Sequence, residues 1–394
     1  MDITNTALFK EFKNNLTRKR NNNIEYYYIT IHNSITTDSK QIYLGRVTDN
    51  EKKLFDYFIK TTVKRIIFSF EKMKSIKYTN KYISDDIVFF LDLLRLSYSN
   101  ELIQYRASDI QKYEDTIFTR YVTGTTNVEG NTYTERETDL TLNQGLTVKG
   151  KEIREFYEII NYKKWKKYLD SLNSFNYDRN FIKMVHYYLL MDIDTDAGEF
   201  RNTQVFITGT SYQPSPAILV ETELDELLKW YNDNKTKVYP IELISLFHQR
   251  FEEIHPFSDG NGRVGRELMR LQLRDFNFPT IFINKKNRED YLKCLDAGNE
   301  DNYGNIVVFI AGLLIDEYQE LFGKLIETSR DTLDLIDQDK VMKNEFHEFI
   351  GTMMKYIDEF VKSAFDDFLN ILDADIRKNF KFDELKMDLS KLLN

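Results

Sequence analysis

The chain has 394 residues, 42% of them hydrophobic and 30% charged, with a net charge of −9. That length allows two or three domains, or one large domain with appendages, and a sizeable core. The negative balance argues against a general binder of nucleic acid or of an anionic membrane, and the single cysteine, Cys294, excludes an internal disulfide.

The first fifteen residues are polar and charged and lack the apolar centre of a signal peptide, so a soluble cytoplasmic protein is expected. The run Tyr26-Tyr27-Tyr28-Ile29-Thr30-Ile31, a polar segment with Asn33 and Asp38, and then Gln41-Ile42-Tyr43-Leu44 predict a small hairpin within Ile24 to Arg46. From Glu51 the apolar residues Leu54, Phe55, Phe58, Ile59, Val63, Ile66 and Ile67 recur at helical spacing. Helical patterns follow over Asp85 to Ser97, Ile110 to Val128, Glu152 to Leu172, Ile182 to Met191 and Leu224 to Asn232. Pro214, Pro216, Pro240 and Pro256 all stand outside apolar runs, so the chain reads as mainly α.

Arg201 to Tyr212 breaks the helical rule. It is β-branched and holds Gly209, which suits a hairpin between helices, either a flap over a site or a simple connector. The longest apolar run, Ile306 to Ile315, has ten residues, half of what a membrane helix needs. Asp316 to Asn394 is acidic and helical in pattern. Phe346, Phe349, Ile350, Met353, Tyr356, Ile357 and Phe360 form an amphipathic face that needs a partner, either the main domain or another subunit.

The densest chemistry lies between His255 and Arg266. His255 can take a proton near neutral pH without unusual tuning. Asp259 suits Mg²⁺, which binds one or two protein carboxylates together with phosphate oxygens and water. Gly260 and Gly262 permit close backbone approach just before a helical pattern through Val264, Leu268, Leu271 and Leu273, and helix N-terminal N–H groups form an anion nest. Arg263 and Arg266, three residues apart near that positive end, are suited to phosphate. Pro256 and Phe257 read as structural.

Gly260-Asn261-Gly262-Arg263-Val264-Gly265 also fits the dinucleotide fingerprint formally. The preceding Leu243 to Ile254 has helical rather than strand spacing, and the expected acidic residue does not follow. A P-loop is excluded by the absence of Gly-Lys-Ser/Thr. His186 and His248 lie in helical apolar patterns and read as buried core residues; His32 and His347 have no neighbours that suggest a site.

The run from His255 to Arg266 resembles the Fic-domain signature, His-Pro-Phe-x-Asp/Glu-Gly-Asn-Gly-Arg-x-x-Arg, at every fixed position. Ala197-Gly198-Glu199-Phe200-Arg201 with the following β-like stretch resembles the family's flap. Thr125-Thr126-Asn127-Val128-Glu129-Gly130 resembles its inhibitory motif, and Gly150-Lys151-Glu152-Ile153-Arg154-Glu155 is also typical. The resemblance implies a mainly α, Fic-type helical bundle with a β-hairpin flap. Around it stand a small N-terminal β-hairpin region with a helical part (1–85) and a helical C-terminal extension (316–394). The Fic domain would cover 90–315 and include an inhibitory helix at about 110–130.

The implied activity is transfer of AMP from ATP to a Ser, Thr or Tyr hydroxyl of a target protein, the chain itself included, with no nucleic-acid or membrane partner. By resemblance, His255 would deprotonate the hydroxyl and Asp259 would hold Mg²⁺. Gly260, Asn261 and Gly262 would cradle the phosphates, and Arg263 and Arg266 would neutralise them. Gln204, Val205, Phe206 and Ile207 would pin the target by strand addition, and Asn299 would lie near the adenine. Many members carry Tyr seven residues before that Asn; Leu292 stands there, with Tyr291 beside it. Glu129 would act as a brake by pairing with Arg266, and in some relatives the same Glu serves removal of AMP. Homodimers are common in the family. Transfer of UMP, phosphocholine or phosphate, and a non-catalytic nucleotide-binding module, are the alternatives. A DNA-binding tail is disfavoured because 316–394 is acidic.

Overall fold

The computed structural model describes residues 12–32, 38–104, 107–207, 210 and 212–318, with isolated positions beyond 343. Most of the amphipathic face expected over 346–360, and the 316–394 extension generally, lie outside the described residues.

After a short helical segment at 12–14, three antiparallel strands follow: β1 (Thr17–Asn21), β2 (Ile24–His32) and β3 (Ser39–Arg46), in the order β1-β2-β3. Alternation sends Tyr27, Ile29 and Ile31 of β2, and Ile42 and Leu44 of β3, onto α1 (Glu51–Ser75), where they pack with Leu54, Tyr57 and Phe68. Gly45 (φ +125) sits beside the register shift at Tyr27/Tyr28, and a Cβ there would meet Tyr57 Oη at 2.9 Å. β1 was not expected. Thr-Arg-Lys-Arg-Asn is exposed throughout and has no apolar alternation; only its pairing with Tyr26 to Tyr28 makes it a strand.

The rest is helical. α2 (Asp85–Gln104) and α3 (Ala107–Val128) lead to a short α4 (Glu135–Gln144), then α5 (Ile153–Ser171), α6 (Arg179–Leu190), α7 (Val220–Asn234), α8 (Pro240–Ile254), α9 (Asn261–Asp275) and α10 (Arg288–Gly298). A further helical run covers 304–318. The helices expected before residue 316 are all present, most of them longer than the periodic core that signals them. α4 went unread because its sequence is polar. It is fixed at its ends, by a capping box between Thr134 and Glu137 and by Gly145 in the left-handed region.

Two apolar clusters share α8 and α9. Leu243, Phe247, Phe251, Ile254, Val264, Leu268 and Leu271 face α3, α5, α6 and α7, built around Trp165 and Tyr162. Ile241, Ile244, Leu246, Met269 and Leu273 face α1, α2 and the 304–318 run. α8 and α9 are therefore buried on two sides, and the turn between them is anchored in the first cluster through Ile254, Phe257 and Val264. Ile306 to Ile315 is the buried core of that second cluster, and no helix among the described residues is long and apolar enough to cross a membrane.

Glu242 on α8 clamps the chain before α2. Its carboxylate accepts from the backbone N–H of Lys81 (2.9 Å), Tyr82 (2.7 Å) and Ile83 (3.1 Å), and the residue is buried. Glu242→Ala would strand these donors, and we expect it to lower unfolding stability by roughly 3 kcal/mol, measured by urea denaturation. A loss below about 0.5 kcal/mol, the range of neutral surface changes, would show that the clamp is dispensable.

Candidate active site

α8 ends at His255, which adopts φ +52, ψ +61 with its N–H still bonded to Phe251 O. This left-handed residue is uncommon outside glycine. Arg201, buried at 5% exposure, holds it in place. The Arg201 guanidinium donates to the carbonyls of His255 (2.7 Å), Thr203 (3.0 Å), Ile254 (3.1 Å) and Ser215, and Arg201 N–H reaches Pro256 O. One arginine thus joins the base of the 201–215 segment to the end of α8.

The turn is closed from inside. Phe257 is fully buried and stacks on His186 at 3.8 Å. The Asn261 side chain accepts from Phe257 N–H and donates to Phe257 O, both at 2.8 Å. Asn261 therefore has only its backbone N–H to offer an anion. That group belongs with those of Gly262 and Arg263, which have no helical partner in the first turn of α9.

His255 Nδ1 lies 3.2 Å from Glu252 O. A carbonyl only accepts, so Nδ1 carries the proton and Nε2 keeps its lone pair. Burial, helped by Arg201, lowers the imidazole pKa to about 4, so the ring is neutral at pH 7.

Asp259 is half exposed. Its Oδ1 accepts from Gly260 N–H (2.6 Å) and Arg263 Nη2 (3.1 Å), and its Oδ2 from Arg154 Nη2 (2.9 Å). Burial raises this carboxyl, but Arg263, the Gly260 N–H and Arg154 together outweigh it and leave it below the usual range. No group of three metal-binding side chains occurs among the described residues. Asp259 alone fits a hard cation only if phosphate oxygens and water complete the shell.

The two signature arginines diverge. Arg263, buried, donates to Glu158 Oε1 (3.3 Å) and Asp259. Arg266, 3% exposed, donates to Thr125 Oγ1 (2.8 Å), Thr125 O (3.1 Å) and Glu129 Oε1 (2.6 Å). Burial raises the Glu129 carboxyl, and Arg266 and Arg263 more than reverse that, so it is charged. Gly262 lies under this pair: a Cβ there would stand 2.8 Å from both Glu129 Oε1 and Arg266 Nη1. Glu129 thus meets the first turn of α9 beside the anion nest.

Asn299 ends α10, and its Oδ1 accepts from Gln249 of α8 at 3.2 Å. Leu292 packs into the core, and buried Tyr291 donates or accepts with His248 Nε2 at 2.7 Å while its ring lies 5.9 Å from the Arg266 guanidinium. His248 and His186 are buried as expected, yet each touches the site. His186 Nδ1 accepts from Gly198 N–H (2.8 Å), so its Nε2–H donates to Asp259 O (3.0 Å).

The 201–212 segment differs from expectation. Residues 201–207, 210 and 212 contain no laddered strand; 208, 209 and 211 lie outside the described residues. The carbonyls of Thr203 and Ser215 are taken by the Arg201 guanidinium, and Gln204 Nε2 donates to Pro214 O at 3.1 Å, so side chains hold the two arms without a ladder. Phe206 is 79% exposed, and Val205 and Ile207 are half-buried.

Residues 176–273 match the Fic/DOC family. The chain is 32% identical over 219 residues to the protein adenylyltransferase fic-1 of Caenorhabditis elegans, which covers 54% of this chain and 42% of that one. It is 29% identical over 208 residues to the protein adenylyltransferase Fic of Aedes aegypti, covering 51% and 41%. It therefore spans less than half the length of these relatives. Among solved structures it resembles a Fic-domain-containing signaling protein from Bacteroides thetaiotaomicron, with TM-score 0.53 and 22% identity over 59% of this chain and 96% of that one. It also resembles Fic-1 from C. elegans, with TM-score 0.54 and 24% identity over 70% and 84%. The helical bundle is thus of the Fic fold.

Proposed function

We propose that this chain, which carries a Fic domain over residues 176–273, transfers AMP from ATP to a Ser, Thr or Tyr hydroxyl of a protein. The observation that carries the reading is a neutral imidazole, with Nε2 free to accept a proton, one turn of chain before a helix N-terminus flanked by two buried arginines. A base beside an anion nest suits attack on a phosphate ester better than any other chemistry in this set of residues. The names of the relatives, protein adenylyltransferases, agree.

In this reading the polyphosphate lies against the N–H groups of residues 261–263. His255 Nε2 takes the target hydroxyl's proton, the oxygen bonds to the α-phosphorus, and the α–β bridging bond breaks to release pyrophosphate. Arg263 and Arg266 offset the charge that builds on the leaving group. Asp259 would hold Mg²⁺, which lowers the phosphates' charge and keeps them aligned when bound. Arg201 fixes the carbonyl of His255 and so its ring's direction. The 204–207 edge, with no ladder partner of its own in the described residues, is suited to take a target strand. Asn299 is the candidate contact for the base.

Glu129 makes this a restrained site, since its carboxylate occupies Arg266. The test of the reaction type is labelling by ATP carrying ³²P at the α or the γ position, with Glu129→Gly protein and Mg²⁺. Label from α and none from γ is expected. Label from γ would overturn AMP transfer in favour of phosphate transfer, and preference for labelled UTP would reassign the nucleotide. A second reading, removal of AMP from a modified target, is motivated by the same charged Glu129 beside the anion nest. Release of AMP by the wild-type chain and not by Glu129→Gly would establish it; no release by wild type would dismiss it.

A further inference from the structure

Asp259, Arg263, Glu158 and Arg154 form a closed ring of alternating charge. The links are Asp259–Arg263 at 3.1 Å, Arg263–Glu158 at 3.3 Å, Glu158–Arg154 at 3.4 Å and Arg154–Asp259 at 2.9 Å. The four members differ in freedom. Arg263 and Glu158 side chains are 2% and 8% exposed, whereas Arg154 is 54% and Asp259 48% exposed.

The oxygens of Asp259 are unequally used. Oδ1 already accepts from Gly260 N–H and Arg263, which fills both of its lone-pair directions. Only Oδ2 has one left, and the Arg154 guanidinium lies against that oxygen. A divalent cation approaching Oδ2 meets a full positive charge at hydrogen-bond distance. Arg154 starts α5 and is not part of the His255 to Arg266 run.

We propose that Arg154 is a built-in competitor for the metal at Asp259: its guanidinium neutralises Oδ2 until a divalent cation displaces it, and Glu158 then retains it. This rests on Asp259 being the metal carboxylate of the proposed transferase. Removing Arg154 leaves the ring one positive charge short and one carboxylate oxygen open, so the empty site attracts the cation more strongly. The contact is solvent-exposed, so the gain is modest: a typical exposed ion pair corresponds to about a two- to fivefold change in affinity.

The test uses the full chain saturated with a non-hydrolysable ATP analogue, whose phosphates complete the cation's shell, and follows protein-bound Mn²⁺ by electron paramagnetic resonance. Arg154→Gln is expected to bind Mn²⁺ about two- to fivefold more tightly than wild type, and Arg154→Met, which keeps the aliphatic stem, the same. Asp259→Asn should lose this binding in either background. Unchanged or weaker binding by both Arg154 variants, with Asp259→Asn still deleterious, overturns the competition and leaves the metal reading standing. Unchanged binding in Asp259→Asn overturns the metal reading itself. Thermal unfolding of each variant shows whether the ring also holds the fold.

Discussion

His255→Ala, made in the Glu129→Gly background, is expected to lower the rate of AMP transfer about 10²- to 10⁴-fold. The size follows from the role of a positioned base and not from the fold, because the contacts that hold residue 255 are to its backbone. Arg201 takes the carbonyl, Phe251 the N–H, and among the described residues the ring itself has one hydrogen bond, to Glu252 O. The variant should therefore fold. Labelling from [α-³²P]ATP, with unfolding temperature as the control, checks both statements. A loss of less than tenfold would remove His255 from the proton transfer.

The same argument gives a pH profile. Burial holds His255 near pKa 4, so its neutral fraction is already complete by pH 6 and the rate should be flat with respect to this group from pH 6 to 8. An acid limb near pH 6.5 would mean that the ring is as solvated as a free imidazole. The limb at low pH overlaps unfolding. His255, His186 and His248 all have folded pKa values depressed by burial, to about 4, 4 and 3. The unfolded chain binds those protons first, so this contribution to stability is complete above about pH 6.5 and is lost as pH falls towards 4. Rates below pH 5 need a fluorescence check that the chain is still folded.

The sequence displayed the groups proposed to react and hid their supports, for a physical reason. His255, Asp259, Arg263 and Arg266 come from one short run because a helix end and the next helix start supply base, carboxylate and anion nest together. Arg201 acts on four backbone carbonyls, and carbonyls carry no residue identity. Arg154 and Glu158 reach the site across 105 residues of chain each, and His186 across 73. Arg154 falls in a stretch that resembles the family, but nothing near Arg154, Glu158 or His186 says which atom each would reach. His186 and His248 looked like core residues and are core residues; what periodicity could not say is that the core they join is the underside of the turn.

Glu129→Gly bears on the other half of the site, and we expect it to raise AMP transfer by about 100-fold or more, the scale at which small misplacements of a reacting group act. Arg266 donates to Thr125 and Glu129 and lies against Tyr291, and Glu129 is the carboxylate that bonds it directly. Removing that carboxylate leaves a buried guanidinium, held at the correct depth by Thr125, that lacks its counter-ion. A polyphosphate is then the natural replacement, since it restores both charge and acceptors. It also removes a negative charge from the place where the phosphates must lie. Glu129→Gln separates these effects. It keeps the size and an acceptor oxygen but not the charge, so activity between wild type and Glu129→Gly is expected. If the brake works by misaligning the nucleotide, affinity for a non-hydrolysable ATP analogue, measured by calorimetry, should change far less than the rate. Equal changes in affinity and rate would mean that Glu129 simply excludes ATP. No rise in rate for Glu129→Gly would mean that the Glu129–Arg266 pair is structural and does not restrain the reaction.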